Sequence, residues 1–334
     1  MSTADFDLLV IGSGPAGQKA AIQAAKAGRR VALVESDRRL GGACVYRGTI
    51  PTKTLRESAL RILQLRRHQE LFDCTLKPGQ EMAALVSNLQ TVTGAHHAFI
   101  QAQLQRNGVV CLHGRASFLA SDRVQVEGLR GDRSVYRVTQ VIIATGSRPR
   151  QADGVPVDHE HILDSDSVLS MLYLPESLVV LGGGIIASEY ASVFASLGVK
   201  VTMIDRYPRP LGFMDGEIVG RFLRAFRAAG GEFIGPAQVE EVRWDGISRV
   251  LTRLADGREF AADKLLSAAG RVANVDGLNL AAARLELTPS GHIAVNAACQ
   301  TTVPDIYAVG DVIGPPALAS ASMEQGRRAS AHAL

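Results

Sequence analysis

Residues 8–17 read LLVIGSGPAG, and residues 178–187 read LVVLGGGIIA. Each stretch is a short apolar run that ends in glycines and leads into an alanine-rich segment, which predicts a strand, a tight turn and a helix. Matching positions in the two copies are offset by 170 residues (178 − 8). The matching pairs are Gly12 and Gly182, Gly14 and Gly184, Gly28 and Gly198, Val31 and Val201, and Glu35 and Asp205. The sequence therefore predicts two copies of one strand–turn–helix–strand unit.

Each copy also carries an acidic residue where a dinucleotide fingerprint requires one. Glu35 follows Gly12 by 23 residues (35 − 12), and Asp205 follows Gly182 by the same number, close to the ~20 expected. In such a unit the glycines permit a tight turn and close approach of the pyrophosphate. The helix N-terminus offers unpaired N–H groups, and the acid accepts hydrogen bonds from ribose. One glycine fingerprint alone is weak evidence, but two copies with both acids predict two dinucleotide sites.

The second copy differs from the first in its third glycine, which is replaced by Ala187. An alanine here spreads helix and strand slightly and is often found where the nucleotide carries an extra phosphate. Asp205 argues against that, because its charge repels a ribose phosphate. Arg206 and Arg209 follow and offer partners for a phosphate, although exposed loop arginines are equally consistent with the pattern. The second site is therefore predicted to prefer NAD and to tolerate NADP.

Composition and charge narrow the function classes. The chain has 334 residues, of which 46% are hydrophobic and 21% are charged, which excludes a disordered or collagen-like protein. The net charge of +3 is too small to predict a nucleic-acid partner. No apolar run approaches the ~18 residues that a membrane span needs, and residues 1–7 lack a basic cluster. We therefore expect no membrane partner and a cytoplasmic location.

The cysteines and histidines form no pattern typical of a metal site. The four cysteines are widely spaced and include no Cys-x-x-Cys pair, and the histidines form no ligand cluster, so no metal is predicted. The cysteines are Cys44, Cys74, Cys111 and Cys299. Elsewhere, hydrophobic periodicity predicts helices over residues 52–71 and 82–92, and the turn-rich stretch 149–156 predicts a crossover.

Five motifs, taken in order, resemble those of the pyridine nucleotide-disulfide oxidoreductases, the flavoprotein disulfide reductases. The motifs are GGACVYRGTIPTK at 41–53, ATGSRP at 144–149, GGGIIASEYA at 182–191, AGRVAN at 269–274 and TTVPDIYAVGD at 301–311. The resemblance implies an α/β fold with two Rossmann-like dinucleotide-binding domains, the second inserted in the first. It places the FAD-binding domain at residues 1–152 and 271–334, and the NAD(P)-binding domain at residues 153–270.

The resemblance also implies which residues contact the two nucleotides. For FAD they are Gly12, Gly14, Pro15, Ala16, Gly17, Glu35, Gly42, Thr49, Lys53, Ala116, Thr145, Gly146, Arg271, Asp311 and Ala319. For NAD(P) they are Gly182, Gly184, Ile185, Ile186, Ala187, Glu189, Asp205, Arg206 and Gly270. Catalytic roles carry over to Lys53, Glu189 and Cys44. Lys53 and Glu189 are expected to pair beside the reactive ring of the flavin, where a lysine stabilises an anionic reduced ring.

One departure from the family pattern bears on the chemistry. The reductases carry two cysteines with four residues between them, whereas here Cys44 is followed five positions later by Thr49. A single thiol forms no intramolecular disulfide, so the second half-reaction of a disulfide reductase should be missing. The stretch resembles the soluble transhydrogenase branch of the family. That resemblance implies hydride transfer from one nicotinamide nucleotide to FAD and then to another, with the two nucleotides taking turns at one site.

Two alternatives remain open on the sequence. One is an NAD(P)H diaphorase or oxidase, or a dihydrolipoamide dehydrogenase-like protein without the disulfide, in which Cys44 acts as a lone redox thiol. The other is a non-catalytic protein that only binds flavin and nucleotide. The family's C-terminal dimerisation domain has no counterpart in this sequence, which leaves a homodimer an open expectation.

Overall fold

The computed structural model describes residues 4–67 and 81–334. These residues form two compact units, each assembled from separate parts of the chain. The first unit contains Met1–Tyr46, Thr93–Arg148 and Val272–Leu334, and the second contains Arg47–Val92 and Pro149–Arg271. The expected boundaries near residues 152 and 270 lie close to these limits. The segment 47–92, expected in the FAD-binding part, instead belongs to the second unit.

The elements alternate between strands and helices, as in α/β proteins. The strands are β1 (Phe6–Ile11), β2 (Val31–Glu35), β3 (Val110–Ala120), β4 (Arg123–Gly128), β5 (Arg133–Ile143), β6 (Ser147–Pro149), β7 (Ile162–Asp164), β8 (Ser177–Leu181), β9 (Lys200–Ile204), β10 (Glu232–Ile234), β11 (Val239–Trp244), β12 (Val250–Leu254), β13 (Glu259–Ala262), β14 (Lys264–Ser267), β15 (Arg271–Ala273) and β16 (Ile306–Ala308). The helices are α1 (Pro15–Lys26), α2 (Gly42–Tyr46), α3 (Thr49–Arg67), α4 (Glu81–Arg106), α5 (Ile185–Ser196), α6 (Gly216–Ala228) and α7 (Ala319–Ala333). Residues 68–71 of the helix predicted over 52–71, and Cys74, lie outside the described residues.

The first unit is built on a sheet in which β1 lies between β2 and β5, with β16 on the far side of β5, all parallel. The strand β3 pairs parallel to β2, and β4 pairs antiparallel to both β3 and β5. The buried parts of the central strands, residues 8–11 of β1, 31–34 of β2 and 141–143 of β5, are entirely apolar because both faces are covered, as is usual for parallel sheets. Leu9, Phe118 and Ile143 are among the fully buried residues of this core. The helices α1 and α7 pack against each other.

The second unit has its own parallel sheet, in the order β10-β9-β8-β14-β7, and a separate antiparallel sheet of β11, β12 and β13. The helix α3 packs against α5. Leu55, Ala59 and Ile62 of α3 are buried in one core cluster with Tyr190 and Phe194 of α5. This shared apolar surface is the physical reason that residues 47–92 belong to the second unit.

Both units contain the predicted strand–turn–helix–strand element, β1-α1-β2 in the first and β8-α5-β9 in the second. Leu8 is paired with Val31, and Leu178 is paired with Val201, so the strand register repeats with the offset of 170 residues seen in the sequence (178 − 8). The predicted α/β fold with two dinucleotide-binding units is confirmed. Among the helices of residues 4–67 and 81–334, none combines the length and apolar character that a membrane span requires.

Candidate dinucleotide-binding and redox site

In the first glycine turn, Gly12 and Gly17 are tightly packed, whereas Gly14 has free space beside it. Gly12 has φ +106°, and a side chain there would overlap the backbone of Ala144. A side chain at Gly17 would overlap the carbonyl oxygen of Gly12, which keeps α1 close to β1. Gly14 has φ −63°, and a Cβ there would have no neighbour within 4 Å. The turn therefore fits the close approach of a pyrophosphate at Gly14, as the fingerprint predicts.

The beginning of α1 supports the same interpretation. Pro15 occupies the first helical position, followed by Ala16, and no side-chain hydrogen bond caps the start of the helix at Gly14. Uncapped N–H groups and the positive end of the helix dipole together favour a phosphate at this end of the helix.

In each unit we call the glycine turn, the helix start that follows it and the acidic residue at the end of the next strand a cradle. The acidic residue of the first cradle is Glu35, at the end of β2, and only 7% of it is exposed. Its Oε2 atom accepts hydrogen bonds from the backbone N–H of Ser13 at 2.9 Å and from Ser13 Oγ at 2.6 Å. Its Oε1 atom accepts from the N–H of Asp37 at 2.9 Å and from Ser36 Oγ at 3.3 Å. The carboxylate is thus held in the turn by bonds that the sequence motif did not predict.

The loop that leads into α2 closes against this turn. Gly42 has φ +64°, and a Cβ there would lie 2.7 Å from the Cα of Gly14. The N–H of Gly41 donates to Ser13 Oγ at 2.9 Å. Cys44 lies in α2 and is partly buried, whereas Thr49, the residue in place of a second cysteine, begins α3 in the second unit.

The remaining predicted FAD residues of the first unit lie at strand ends and at one helix start. Ala116 is buried on β3, and Gly146 has φ +70°. Thr145 Oγ1 donates to the carbonyl of Asn274 at 2.7 Å, and Ala319 is the first residue of α7. Asp311 Oδ2 accepts a hydrogen bond from Ser147 Oγ at 2.8 Å. The sequence motifs did not single out Ser13, Ser147 or Asn274, although all three stand inside them.

The second glycine turn repeats the geometry of the first with one difference. Gly182 has φ +112° and packs against the backbone of Ala268, while Gly184 is open and α5 begins without a side-chain cap. Ala187 replaces the third glycine and is completely buried. The turn therefore accommodates the methyl group that the first turn excludes. Ile185 and Ile186 follow at the start of α5, and 56% of Ile185 is exposed.

Asp205 lies at the end of β9, against the backbone of Gly183. A Cβ at Gly183 would overlap the Oδ2 atom of Asp205. Within residues 4–67 and 81–334, no hydrogen bond reaches the carboxylate of Asp205, in contrast to the four that reach Glu35. The Asp205 carboxylate is therefore open to ribose hydroxyls.

The loop after β9 folds back onto the second turn, because the N–H of Leu211 donates to the carbonyl of Gly183 at 2.7 Å. Arg206 lies over the ring of Tyr207, with 4.9 Å between the guanidinium carbon and the ring centroid. Arg209 Nη2 donates to the carbonyl of Gly212 at 3.2 Å. Both arginines are exposed. They are thus held by the loop that borders the cradle.

The predicted pair of Lys53 and Glu189 is brought together in the second unit. Lys53 on α3 and Glu189 on α5 form an ion pair between Nζ and Oε1, and 55% and 34% of their side chains are exposed. The pair thus joins the same two helices whose apolar residues share a buried cluster. The carboxylate limits where the ammonium group of Lys53 lies.

A second charged group of this unit lies around Asp166. Its carboxylate contacts Arg271 at 3.7 Å and Arg47 at 3.7 Å. Burial raises the pKa of Asp166 above its ordinary value, although both arginines oppose this shift. Burial, together with the charge of Asp166, also raises the pKa of Tyr190, which stays a neutral phenol. Arg271, expected to contact FAD, thus lies in the second unit and contacts Asp166; Gly270 precedes it with φ +110°.

The sequence comparisons agree with this arrangement. The family model for pyridine nucleotide-disulphide oxidoreductases matches residues 6–326. The chain belongs to this family. Its members use FAD and NAD(P), so the family resemblance, the oxidoreductase class and the two cofactors expected from the sequence are confirmed. Among the described residues, no group of three or more histidine, cysteine or acidic side chains is arranged to hold a metal ion.

Several relatives share most of this chain. It is 42% identical over 333 residues to the soluble pyridine nucleotide transhydrogenase of Mycobacterium tuberculosis, covering 99% of this chain and 71% of the relative. It is 38% identical over 325 residues to the soluble pyridine nucleotide transhydrogenase of Hahella chejuensis, covering 97% of this chain and 70% of the relative.

Solved structures show the same fold. LpdA from Mycobacterium tuberculosis is 30% identical, with a TM-score of 0.89 over 98% of this chain and 72% of that chain. The Cu(II) complex of the HOCl-induced flavoprotein disulfide reductase RclA from Escherichia coli is 26% identical, with a TM-score of 0.88 over 100% of this chain and 71% of that chain.

Proposed function

We propose that this chain is a pyridine nucleotide transhydrogenase, which passes hydride between NADPH/NADP⁺ and NADH/NAD⁺ through FAD. The observation that carries the proposal is the pairing of two dinucleotide cradles with a 41–53 segment that contains one thiol, Cys44, and Thr49 in place of a second. The relatives named soluble pyridine nucleotide transhydrogenase support it. A lone thiol gives electrons no intramolecular disulfide to reduce, which favours the soluble nucleotides as the electron carriers.

The proposal assigns FAD to the first cradle and the nicotinamide nucleotide to the second. Gly14, Glu35 and the start of α1 would hold the pyrophosphate and adenosine ribose of FAD, which supplies the acceptance and donation of hydride when bound. Gly184, Asp205 and the start of α5 would hold NAD(H) or NADP(H). Because only one cradle is left for nicotinamide nucleotides, donor and acceptor use it in turn.

Lys53 and Glu189 carry the electrostatic part of the proposed mechanism. With FAD bound, the ammonium group of Lys53 would stabilise negative charge on the flavin ring system. Glu189 holds the ammonium of Lys53 by their ion pair. The carboxylate therefore acts through the lysine, by keeping its ammonium group oriented. Cys44 has no redox role in this scheme.

Nucleotide preference follows from the surroundings of Asp205. Its open carboxylate favours the two ribose hydroxyls of NADH and repels a ribose phosphate. Arg206 and Arg209, held on the loop that returns to Gly183, supply charge for the phosphate of NADPH. We therefore propose that the second cradle prefers NADH and accepts NADPH. We also propose a cytoplasmic location, since no disulfide joins the described cysteines.

Two measurements on the purified protein test the function. Anaerobic addition of NADH or NADPH should bleach the flavin absorbance band. Steady-state rates with NADPH as donor and thio-NAD⁺ as acceptor should give parallel double-reciprocal lines, as expected when one nucleotide leaves before the other binds. Converging lines would contradict the alternating use of one site. A flavin band that neither nucleotide bleaches would favour a non-catalytic binding protein, and rapid turnover with quinones or oxygen alone would favour a diaphorase or oxidase.

A further inference from the structure

Ser13 occupies a central position in the first cradle, although it stands at a variable position of the glycine fingerprint. The residue is completely buried. Its hydroxyl donates to Glu35 Oε2 at 2.6 Å and accepts from the N–H of Gly41 at 2.9 Å. Its carbonyl accepts from Gln18 Nε2 at 2.7 Å. One buried side chain thus joins the end of β2, the glycine turn and the loop that leads into α2.

The second cradle has no such link. Gly183 occupies the position equivalent to Ser13, by the offset of 170 residues (183 − 13) that relates the two units. A Cβ at Gly183 would overlap the Asp205 carboxylate, so a serine does not fit there while Asp205 keeps its place. The two cradles therefore differ in how their acids are held. Glu35 is fixed by a buried hydroxyl, whereas Asp205 rests against bare backbone.

The bonds to Glu35 differ in strength and in accessibility. Oε2 is occupied by the N–H and the hydroxyl of Ser13. Oε1 accepts the backbone N–H of Asp37 at 2.9 Å and the hydroxyl of Ser36 at 3.3 Å. A carboxylate has about four lone-pair sites, so all are in use. The bond from Ser36 is the longest, and Ser36 is exposed. A ribose hydroxyl displaces this bond at least cost, because Ser36 regains water as a partner.

We propose that Ser13 is a positioning residue of the FAD site. Its hydroxyl fixes the Glu35 carboxylate and the Gly41–Gly42 loop, so that the adenosine ribose of FAD takes the place of Ser36 at Oε1. This inference rests on the assignment of FAD to the first cradle. It assigns opposite roles to two serines that bond the same carboxylate. Ser13 keeps its hydrogen bond to Glu35 when FAD binds, whereas the hydrogen bond from Ser36 is displaced by the ribose.

The test compares Ser13→Ala with Ser36→Ala, since each removes one hydroxyl from Glu35. FAD affinity of the apoprotein is measured by the change in flavin fluorescence on binding. It is measured with FAD and with an FAD analogue whose adenosine ribose lacks both hydroxyls. We expect Ser13→Ala to weaken FAD binding about tenfold, the usual effect of losing a buried hydrogen bond to a charged group. Ser13→Ala should weaken binding of the analogue much less than binding of FAD. Ser36→Ala should not weaken FAD binding.

A third variant, Ser13→Gly, copies the residue of the second cradle and keeps the measurement possible if the alanine variant folds poorly. Circular dichroism of each apoprotein monitors folding. If the Ser13 variants lose the same factor of affinity for FAD and for the dideoxy analogue, Ser13 only maintains the fold, and the proposal is overturned. Unchanged FAD affinity in both Ser13 variants, or an equal loss in Ser36→Ala, would overturn it as well. If the unmodified chain takes up no FAD at all, the assignment of the first cradle fails instead.

Discussion

A single substitution can test whether the ion pair between Lys53 and Glu189 contributes to flavin reduction. Glu189→Gln keeps the size of the side chain but removes the charge that orients Lys53. We expect anaerobic reduction of the bound flavin by NADH to slow about 10- to 100-fold, which corresponds to roughly 1.4–2.7 kcal/mol of barrier. Stopped-flow absorbance at the flavin band measures this rate.

The control for this variant is Glu217→Gln, which removes a carboxylate from an exposed ion pair with Arg221 on α6. Exposed pairs of this kind contribute little, so flavin reduction should keep its rate. If Glu189→Gln also keeps the rate, the pair with Lys53 has no part in the reaction.

The pH dependence of stability tests the burial of Asp166. Because its pKa is raised in the folded chain, the folded state holds the proton more tightly than the unfolded state. Its contribution to stability is therefore greatest below its ordinary pKa of 3.8 and decreases as the pH rises through the raised value. Urea unfolding of the natural chain and of Asp166→Asn should show this: the free energy of unfolding of the natural chain, relative to the variant, falls with pH.

The exposed Asp256 gives the opposite sign in the same experiment. Hydrogen bonds from Arg258 lower the pKa of Asp256, so its contribution is present above 3.8 and is lost as the pH falls. The difference between the natural chain and Asp256→Asn should therefore rise with pH. Parallel trends for both variants would mean that Asp166 is not buried as described.

At the level of the element, two glycines of the unit β1-α1-β2 serve different purposes. Gly17 lets α1 pack closely on β1, and Gly14 leaves room for the pyrophosphate. Gly17→Ala forces a methyl group onto the Gly12 carbonyl and moves α1 away from β1. We expect a loss of about 1–3 kcal/mol in the free energy of unfolding of the apoprotein, typical of overpacking. Gly14→Ala meets no atom within 4 Å, so the apoprotein should keep its stability but bind FAD more weakly, because the methyl group occupies the approach of the pyrophosphate.

Thermal or urea unfolding of both apoproteins, followed by FAD titration, distinguishes these effects. If Gly14→Ala binds FAD as tightly as the natural chain, the open position at Gly14 is not where the cofactor approaches. If Gly17→Ala is as stable as the natural chain, α1 has room that the structure does not show.

The sequence predicted the parts of these elements that repeat. Glycine spacing and the acids Glu35 and Asp205 were sufficient for two cradles, because tight turns and ribose recognition restrict the residue types. The side chain of Ser13 was not predicted, since the fingerprint leaves that position variable and only the fold brings it to Gly41. Hydrophobic periodicity predicted a helix over residues 52–71, but not that its apolar face packs on α5. Arg271 was assigned to FAD by its motif, and no sequence pattern indicated its contact with Asp166.

At the scale of the whole molecule, the two units predict two separate responses to ligands. Amide hydrogen exchange of the apoprotein should slow on addition of FAD at the start of α1, where N–H groups face the first cradle. Addition of NAD⁺ to the FAD-loaded protein should slow exchange at the start of α5. Peptides that span Pro15 and Ile185 report the two sites by mass spectrometry. Slowing of α5 by FAD, or of α1 by NAD⁺, would reverse the proposed assignment of the cradles.

The methyl group of Ala187 has a consequence for how the two halves of the chain have diverged. The second turn accommodates an alanine that is completely buried, and a return to glycine there removes only one methyl group. The first turn does not accept the reverse exchange, since its carbonyl at Gly12 already fills the space. If both units descend from one duplicated ancestor, the second unit could replace this glycine by alanine, whereas the first unit could not.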